Sequence, residues 1–195
     1  MKSVYVITHP EVVIDPHVPV PRWPLSQKGR QRMGRLLKSS WLNQVTAVYS
    51  SDEQKAVDGA KILADHLELS VTIVAGLGEV DRSSTGYLPE KEHDQNGRML
   101  FLYPTDSIDG WEKAVDAQKR MVSAVESLIA DNQTTGDLVI ITHGAVGSFL
   151  NSHLKNNPIS LNDTPGIPGG GGIFAFEAQS KNILYDWVNI DDVAL

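Results

Sequence analysis

The apolar and polar positions alternate in blocks. The chain opens on Ser3 to Thr8 (Ser-Val-Tyr-Val-Ile-Thr), a β-branched and aromatic run halted by Pro10, which predicts a buried strand. The proline-rich stretch from Val12 to Pro24 reads as an extended, irregular loop. Ser26 then offers an N-cap for a helix through about Lys38, with Met33, Leu36 and Leu37 on one side. A second strand is expected at Thr46 to Tyr49. Ser51-Asp52-Glu53-Gln54 has the form of a capping box opening a helix on which Ala56, Ala60, Leu63 and Leu67 recur, and Val71 to Val74 reads as a third strand. From Gly76 to about Pro104 the pattern weakens into a long excursion with one helix near Glu90 to Leu102. Asp109-Gly110-Trp111-Glu112 again has capping-box form, ahead of an apolar face of Trp111, Val115, Val122, Val125, Leu128 and Ile129. Asp137 to Thr142 is a near-continuous apolar strand, the mark of a strand covered on both faces. A helix over Gly144 to Leu154 follows. Beyond the loop Pro165 to Gly172, two strands, Ile173 to Glu177 and Ile183 to Val188, read as a hairpin.

Alternating strands and helices with apolar central strands give an α/β fold, a three-layer α/β/α sandwich with a mostly parallel sheet and an antiparallel edge. With no repeat and no linker, residues 1–195 read as a single domain carrying a lid or insertion at about 80–108. A chain of 195 residues with 24 acidic residues against 17 Lys plus Arg, and no cysteine, narrows the function classes. The net charge of -7 and the lack of a Lys/Arg cluster argue against a nucleic-acid partner. No cysteine means no thiolate nucleophile and no Cys-ligated zinc. The opening apolar run is too short for a signal peptide's core and no run is long enough to span a membrane, so the expectation is a soluble, cytoplasmic protein.

In open α/β sheets ligands sit beyond the carboxyl ends of the strands. Two strands end there in the same way, Val-Ile-Thr-His at 6–9 and Ile-Ile-Thr-His at 140–143, so His9 and His143 converge on one edge. Histidine serves as nucleophile, proton donor or metal ligand, and the pair alone does not choose. Glu79 follows the Gly76-Leu77-Gly78 bend, Lys55 sits in the first turn of a helix, and Arg22 lies in the proline-rich loop. Ser50-Ser51 and Gly144 precede helix starts, whose free N–H groups attract anions. Together these residues describe an anion site, most simply one for phosphate. The competing use is zinc on His9, Glu11 and His143, a weak His-x-Glu signal stiffened by Pro10 and lacking a helical His pair. Gly169 to Gly172 lacks the Lys and the helix of a phosphate-cradling loop and reads as a flexible turn.

The ordered series strand-His9, Leu25-Ser26-x-x-Gly29, Ser50-Ser51-x-x-x-Lys55-Ala56, Glu79 and strand-His143-Gly144 resembles the histidine phosphatase superfamily, phosphoglycerate mutase-like, and in particular its branch 2 group. Pro21-Arg22-Trp23-Pro24, Asp81-Arg82-Ser83 and Gly110-Trp111-Glu112 resemble the wider pattern of a bacterial subgroup. The resemblance implies that His9 accepts the phosphoryl group, Glu79 protonates the leaving oxygen and His143 binds phosphate, with no metal and no cofactor, on a small phosphorylated substrate. Thr8-His9-Pro10 stands where the family has Arg-His-Gly, and Lys55 where it has a second arginine. Thr8 cannot supply a cationic fork, so Arg22 or Arg82 is expected to replace the missing guanidinium. Two further readings remain open, a noncatalytic phospholigand-binding or regulatory domain and a phosphomutase.

Overall fold

The computed structural model describes residues 2–193. One six-stranded sheet runs in the order β3-β2-β4-β1-β5-β6. β1 (Ser3–Thr8), β2 (Val45–Ser50), β3 (Val71–Ile73) and β4 (Asp137–Thr142) are mutually parallel. β5 (Gly172–Glu177) and β6 (Ile183–Asn189) run antiparallel along one edge. β4 alternates between two cores, as a strand covered on both faces must. Leu138 and Ile140 meet Met121 and Val125 of α4 (Ala114–Asp131) and Phe149 of α5 (Gly144–Leu154) on one side. Val139 and Ile141 meet Met33 of α1 (Gln27–Arg35) and Ala60 and Leu63 of α2 (Gln54–Leu67) on the other. The three layers are those the alternating pattern predicts, and α3 (Glu90–Leu102) is the helix of the excursion.

The β1–β4 register decides where chemistry can occur. Thr8 pairs with Thr142, so the next residues, His9 and His143, leave the sheet side by side at its carboxyl edge. His9 N extends the ladder to Thr142 O at 3.0 Å.

Four local expectations are corrected. Ser26 caps α1 as expected, its hydroxyl accepting from Gly29 N at 3.1 Å, but the α-helix ends at Arg35 and only a 3-10 turn continues to Lys38. Neither capping box forms. α2 starts at Gln54 with no side-chain cap from Glu53, and α4 starts at Ala114, after Glu112 has paired with Arg120 at 2.7 Å and Asp109 has accepted from Asn96 at 2.9 Å. The inward face of α4 is therefore Ala114, Ala117, Met121 and Val125, with Trp111 buried ahead of the helix. β3 stops at Ile73, one residue early, where Val74 N donates to Ser50 O and the chain turns. Lastly, the glycine run is a close-packed wedge rather than a loose turn. Gly170 has φ +75, a Cβ there would lie 2.4 Å from His9 O, and Gly171 N donates to that same carbonyl at 3.2 Å.

Candidate active site

His9 and His143 face each other edge to face, with ring centroids 5.1 Å apart. His9 is half-buried, and its Nδ1 lies 2.9 Å from the Pro10 carbonyl. A carbonyl only accepts, so Nδ1 carries the proton and Nε2 keeps its lone pair. Burial, with the Lys55 and Arg82 charges adding to it, lowers the His9 pKa to about 4 against the opposing pull of the Pro10 carbonyl and Glu53. The ring is thus neutral across the physiological range, with its Nε2 lone pair free.

His143 is fully buried. Its Nε2 lies 2.7 Å from Ser51 Oγ and 3.4 Å from Glu53 Oε1, and its Nδ1 is buried with no hydrogen-bond partner. Burial pushes its pKa well below the usual histidine value, with Glu53 opposing and His9, Lys55 and Arg82 adding to the depression.

Glu53 links the cluster. Its Oε2 takes the buried Lys55 ammonium, and its Oε1 accepts from Glu79 N at 3.0 Å. Burial alone would raise its pKa, but His143 and Lys55 together hold the carboxyl at about 2, so it stays ionised. Lys55 also donates to Val20 O at 3.0 Å, tying the proline-rich loop across the site.

Glu79 arrives by a different route. Arg120 donates to the carbonyls of Gly76, Gly78 and Glu79 at 2.9, 2.9 and 3.2 Å, and Thr142 Oγ1 donates to Leu77 O at 2.7 Å, so the segment is pinned against β4 and α4. The Glu79 carboxylate then accepts from Ala145 N at 3.2 Å and Val146 N at 3.3 Å, filling the N-terminus of α5. That helix end, expected to receive a phosphate directly, is already occupied by a carboxylate.

The remaining candidates divide. Arg82 stands over Trp111, 5.5 Å from the ring centroid, contacts His93, and its charge is felt at both site histidines. Arg22 is exposed and outside the cleft lining. Thr8 Oγ1 accepts from Gly172 N at 2.8 Å, committing the hydroxyl to the start of β5. Glu11 is held by Lys28 at 2.7 Å and Arg32 at 2.8 Å. Among the described residues no group of three or more His, Asp or Glu is arranged to hold a metal ion. A cleft of about 970 Å³ opens at this edge between the proline-rich loop, whose Val18, Pro19 and Val20 form an apolar wall, and the segment from Gly78 to Tyr87. Glu53, Glu79 and Arg82 line it. Trp23 and Tyr87, 5.8 Å apart, bring the two flanking loops together.

Glu53 and Arg120 are the residues of the site that the sequence does not reveal, Glu53 reading as part of a helix cap. Ser51 is expected there as a helix start that attracts an anion, but its hydroxyl contact with His143 is not legible in the sequence.

A family model described as "Histidine phosphatase superfamily (branch 1)" matches residues 18–189. The branch is therefore branch 1, not branch 2. The match begins beyond His9, whose position beside His143 follows from the β1–β4 register. No protein of curated function matches the chain by sequence. Among solved structures, mycobacterial glucosyl-3-phosphoglycerate phosphatase superposes with a TM-score of 0.78 at 19% identity, over 97% of this chain and 99% of its own. Bacillus stearothermophilus YhfR gives 0.76 at 21% identity, over 94% of each chain. Entamoeba histolytica phosphoserine phosphatase, solved with 3-phosphoglyceric acid, gives 0.76 at 17% identity, over 97% of this chain and 98% of its own. At these identities the likeness shows a shared fold.

Proposed function

The chain belongs to the histidine phosphatase superfamily, and from that premise we propose that it hydrolyses small phosphomonoesters through a phosphohistidine on His9, without a metal ion. The observation that carries this reading is the His9 ring itself. Its Nδ1–H is spent on Pro10 O, its Nε2 lone pair is free, and its low pKa keeps that lone pair available. Nε2 attacks phosphorus in line, the ester P–O bond breaks, and the leaving oxygen takes the proton of a protonated Glu79 carboxyl. Water then attacks the phosphohistidine, its proton passes to Glu79, the N–P bond breaks and inorganic phosphate leaves. The α5 amides hold the Glu79 carboxyl in place at the edge of the site. Lys55, His143 and Arg82, which act on or face the His9 ring, hold the phosphoryl oxygens, and the segment 80–108 acts as the lid that chooses the substrate.

A second reading, a catalytically weak phospholigand-binding domain, is favoured by one specific feature. The Thr8 hydroxyl is committed to Gly172 and the Lys55 ammonium to Glu53, so the site supplies less free positive charge than a pair of arginines. Hydrolysis of an aryl phosphate with excess chelator, comparing the protein with His9→Ala, decides between them. The expected result is chelator-resistant turnover that disappears with His9. Turnover no greater than that of His9→Ala would refute the hydrolase.

A further inference from the structure

The His143 ring poses a problem that the hydrolytic scheme does not resolve. Its Nδ1 is the one histidine nitrogen, among the described residues, that is buried without a partner, and a buried polar atom left alone is costly. The opposite ring nitrogen is over-supplied. Nε2 faces Ser51 Oγ at 2.7 Å and Glu53 Oε1 at 3.4 Å, and the Ser51 hydroxyl oxygen in addition takes Glu53 N at 3.3 Å.

An ionised carboxylate offers only lone pairs. A bare Nε2 would set its lone pair 3.4 Å from the Glu53 charge, whereas an Nε2–H donates to Ser51 Oγ at 2.7 Å and turns its positive end toward that charge. Glu53 is ionised, anchored by Lys55 on one oxygen and by Glu79 N on the other, so it cannot turn away without abandoning both. The Ser51 hydroxyl can either accept from Nε2 or donate to it, and the nearby Glu53 charge favours the first. His9 then carries its proton on Nδ1 and His143 its own on Nε2.

We infer that Glu53 is a positioning residue that locks His143 with a bare Nδ1, so that the site takes up phosphate together with a proton. The inference rests on reading His9 and His143 as a phosphoryl-binding pair. A phosphate dianion brings only acceptors and cannot satisfy a bare Nδ1. The contact forms in one of two equivalent ways: the ligand arrives as the monoanion and donates its P–OH to Nδ1, or His143 takes a proton and becomes an imidazolium bridging the ligand and Glu53. Either way one proton more is bound in the complex than in free protein plus dianion. The charged and titratable groups facing His143 are Glu53 just ahead of α2, Lys55 from α2, His9 just beyond β1, Arg82 from the cleft loop and Glu79, whose carboxyl meets the start of α5. Of these, only Glu53 touches Nε2.

The test is calorimetric titration of the full chain with inorganic phosphate at about pH 8, where free phosphate is mostly the dianion, in two buffers of different ionisation enthalpy. The difference in heat counts the protons taken up. The wild type is expected to take up about one proton per phosphate. In Glu53→Gln the carboxamide NH2 donates to Nε2, the proton moves to Nδ1 and the ring can donate to the dianion directly. Its proton uptake is expected to fall by at least half, with phosphate bound about tenfold more tightly at this pH as the neighbouring negative charge is removed. Histidine 15N spectra of the wild type alone supply a readout that does not depend on the variant folding: His143 should show a protonated Nε2 and a bare Nδ1, His9 the reverse. Equal proton uptake by both proteins, or a His143 protonated on Nδ1 in the free protein, overturns the inference and leaves the hydrolytic reading standing. Absence of phosphate binding to the wild type overturns both.

Discussion

The wedge of glycine behind the catalytic strand allows a sharp prediction. Gly170→Ala places a Cβ 2.4 Å from the His9 carbonyl oxygen, where ordinary contact begins at 3.4 Å, so the His9 backbone or the wedge must move by about 1 Å. The residue also has φ +75, which costs a residue with a side chain about 1 kcal/mol. Displacing the His9 carbonyl further endangers its hydrogen bond from Gly171 N at 3.2 Å, another 1 kcal/mol or so. With some residual crowding the total is about 3 kcal/mol, or roughly 6–12 °C in melting temperature for a chain of this size. Gly166→Ala is the matched control, with φ +57 but nothing within 4 Å of the added Cβ, and should lose only about 1 kcal/mol, roughly 2–4 °C. The two variants should part further in kinetics. A shift of about 1 Å at the nucleophile's own backbone costs about a hundredfold in kcat, while Gly166→Ala should leave kcat unchanged. Thermal melts and initial rates on an aryl phosphate measure both. Equal losses for the two glycines would refute the claim that the wedge holds His9 in place.

The pH profile of turnover should keep His9 almost wholly nucleophilic down to about pH 5 and show its acid limb near pH 4, where half the ring is protonated; an acid limb centred above pH 6 would contradict the assignment. Acid unfolding should carry a signature of Glu11. Burial would raise its pKa, yet Lys28 and Arg32 hold it at about 2, below its ordinary 4.5, so the stabilisation is fully present above pH 4.5 and is lost as pH falls toward 2. It amounts to at most about 3 kcal/mol, and denaturant melts of Glu11→Gln should lack that part of the decline. Arg82→Gln should weaken inorganic phosphate binding by about tenfold, since its charge acts on both site histidines, while Arg22→Gln, whose charge acts on neither, should leave it unchanged; titration of both variants checks it, and equal effects would refute it.

The sheet and its carboxyl edge were legible because their causes are local. Ser3 to Thr8 and Asp137 to Thr142 are apolar runs with no other use, and each ends in a histidine, so pairing the strands aligns the rings. The capping boxes failed for a tertiary reason. Ser51 and Gln54 have the right types at the right spacing for a capping box, but His143 offers the Ser51 hydroxyl another partner and Asp58 takes the Gln54 amide. The same holds at Asp109 to Glu112, where Arg120 and Asn96 draw the side chains off. Arg120 could not have been found by pattern, since its role is to bind three carbonyls of one bend. The glycine run was misread because flexibility and close approach leave the same letters, and only the nearby His9 carbonyl distinguishes them.

The same exchange explains the charge of the site. A buried lysine ammonium without a partner is costly, and it lacks the planar fork that lets arginine grip an anion at two points. Glu53 removes the first difficulty by pairing with Lys55, and its second oxygen anchors the backbone of Glu79, so one carboxylate sets the spacing of Lys55, Glu79 and His143. The consequence is a site close to neutral before ligand arrives, since Glu53 offsets Lys55 and the two histidines are uncharged. Such a site cannot rely on excess positive charge to draw in a dianion, and must gain its anion affinity from shape, from Arg82 and from a proton. The proton-linked binding inferred above fits that balance of charges, and it would tie Thr8 and Lys55, in place of arginines, to Glu53 as parts of one arrangement.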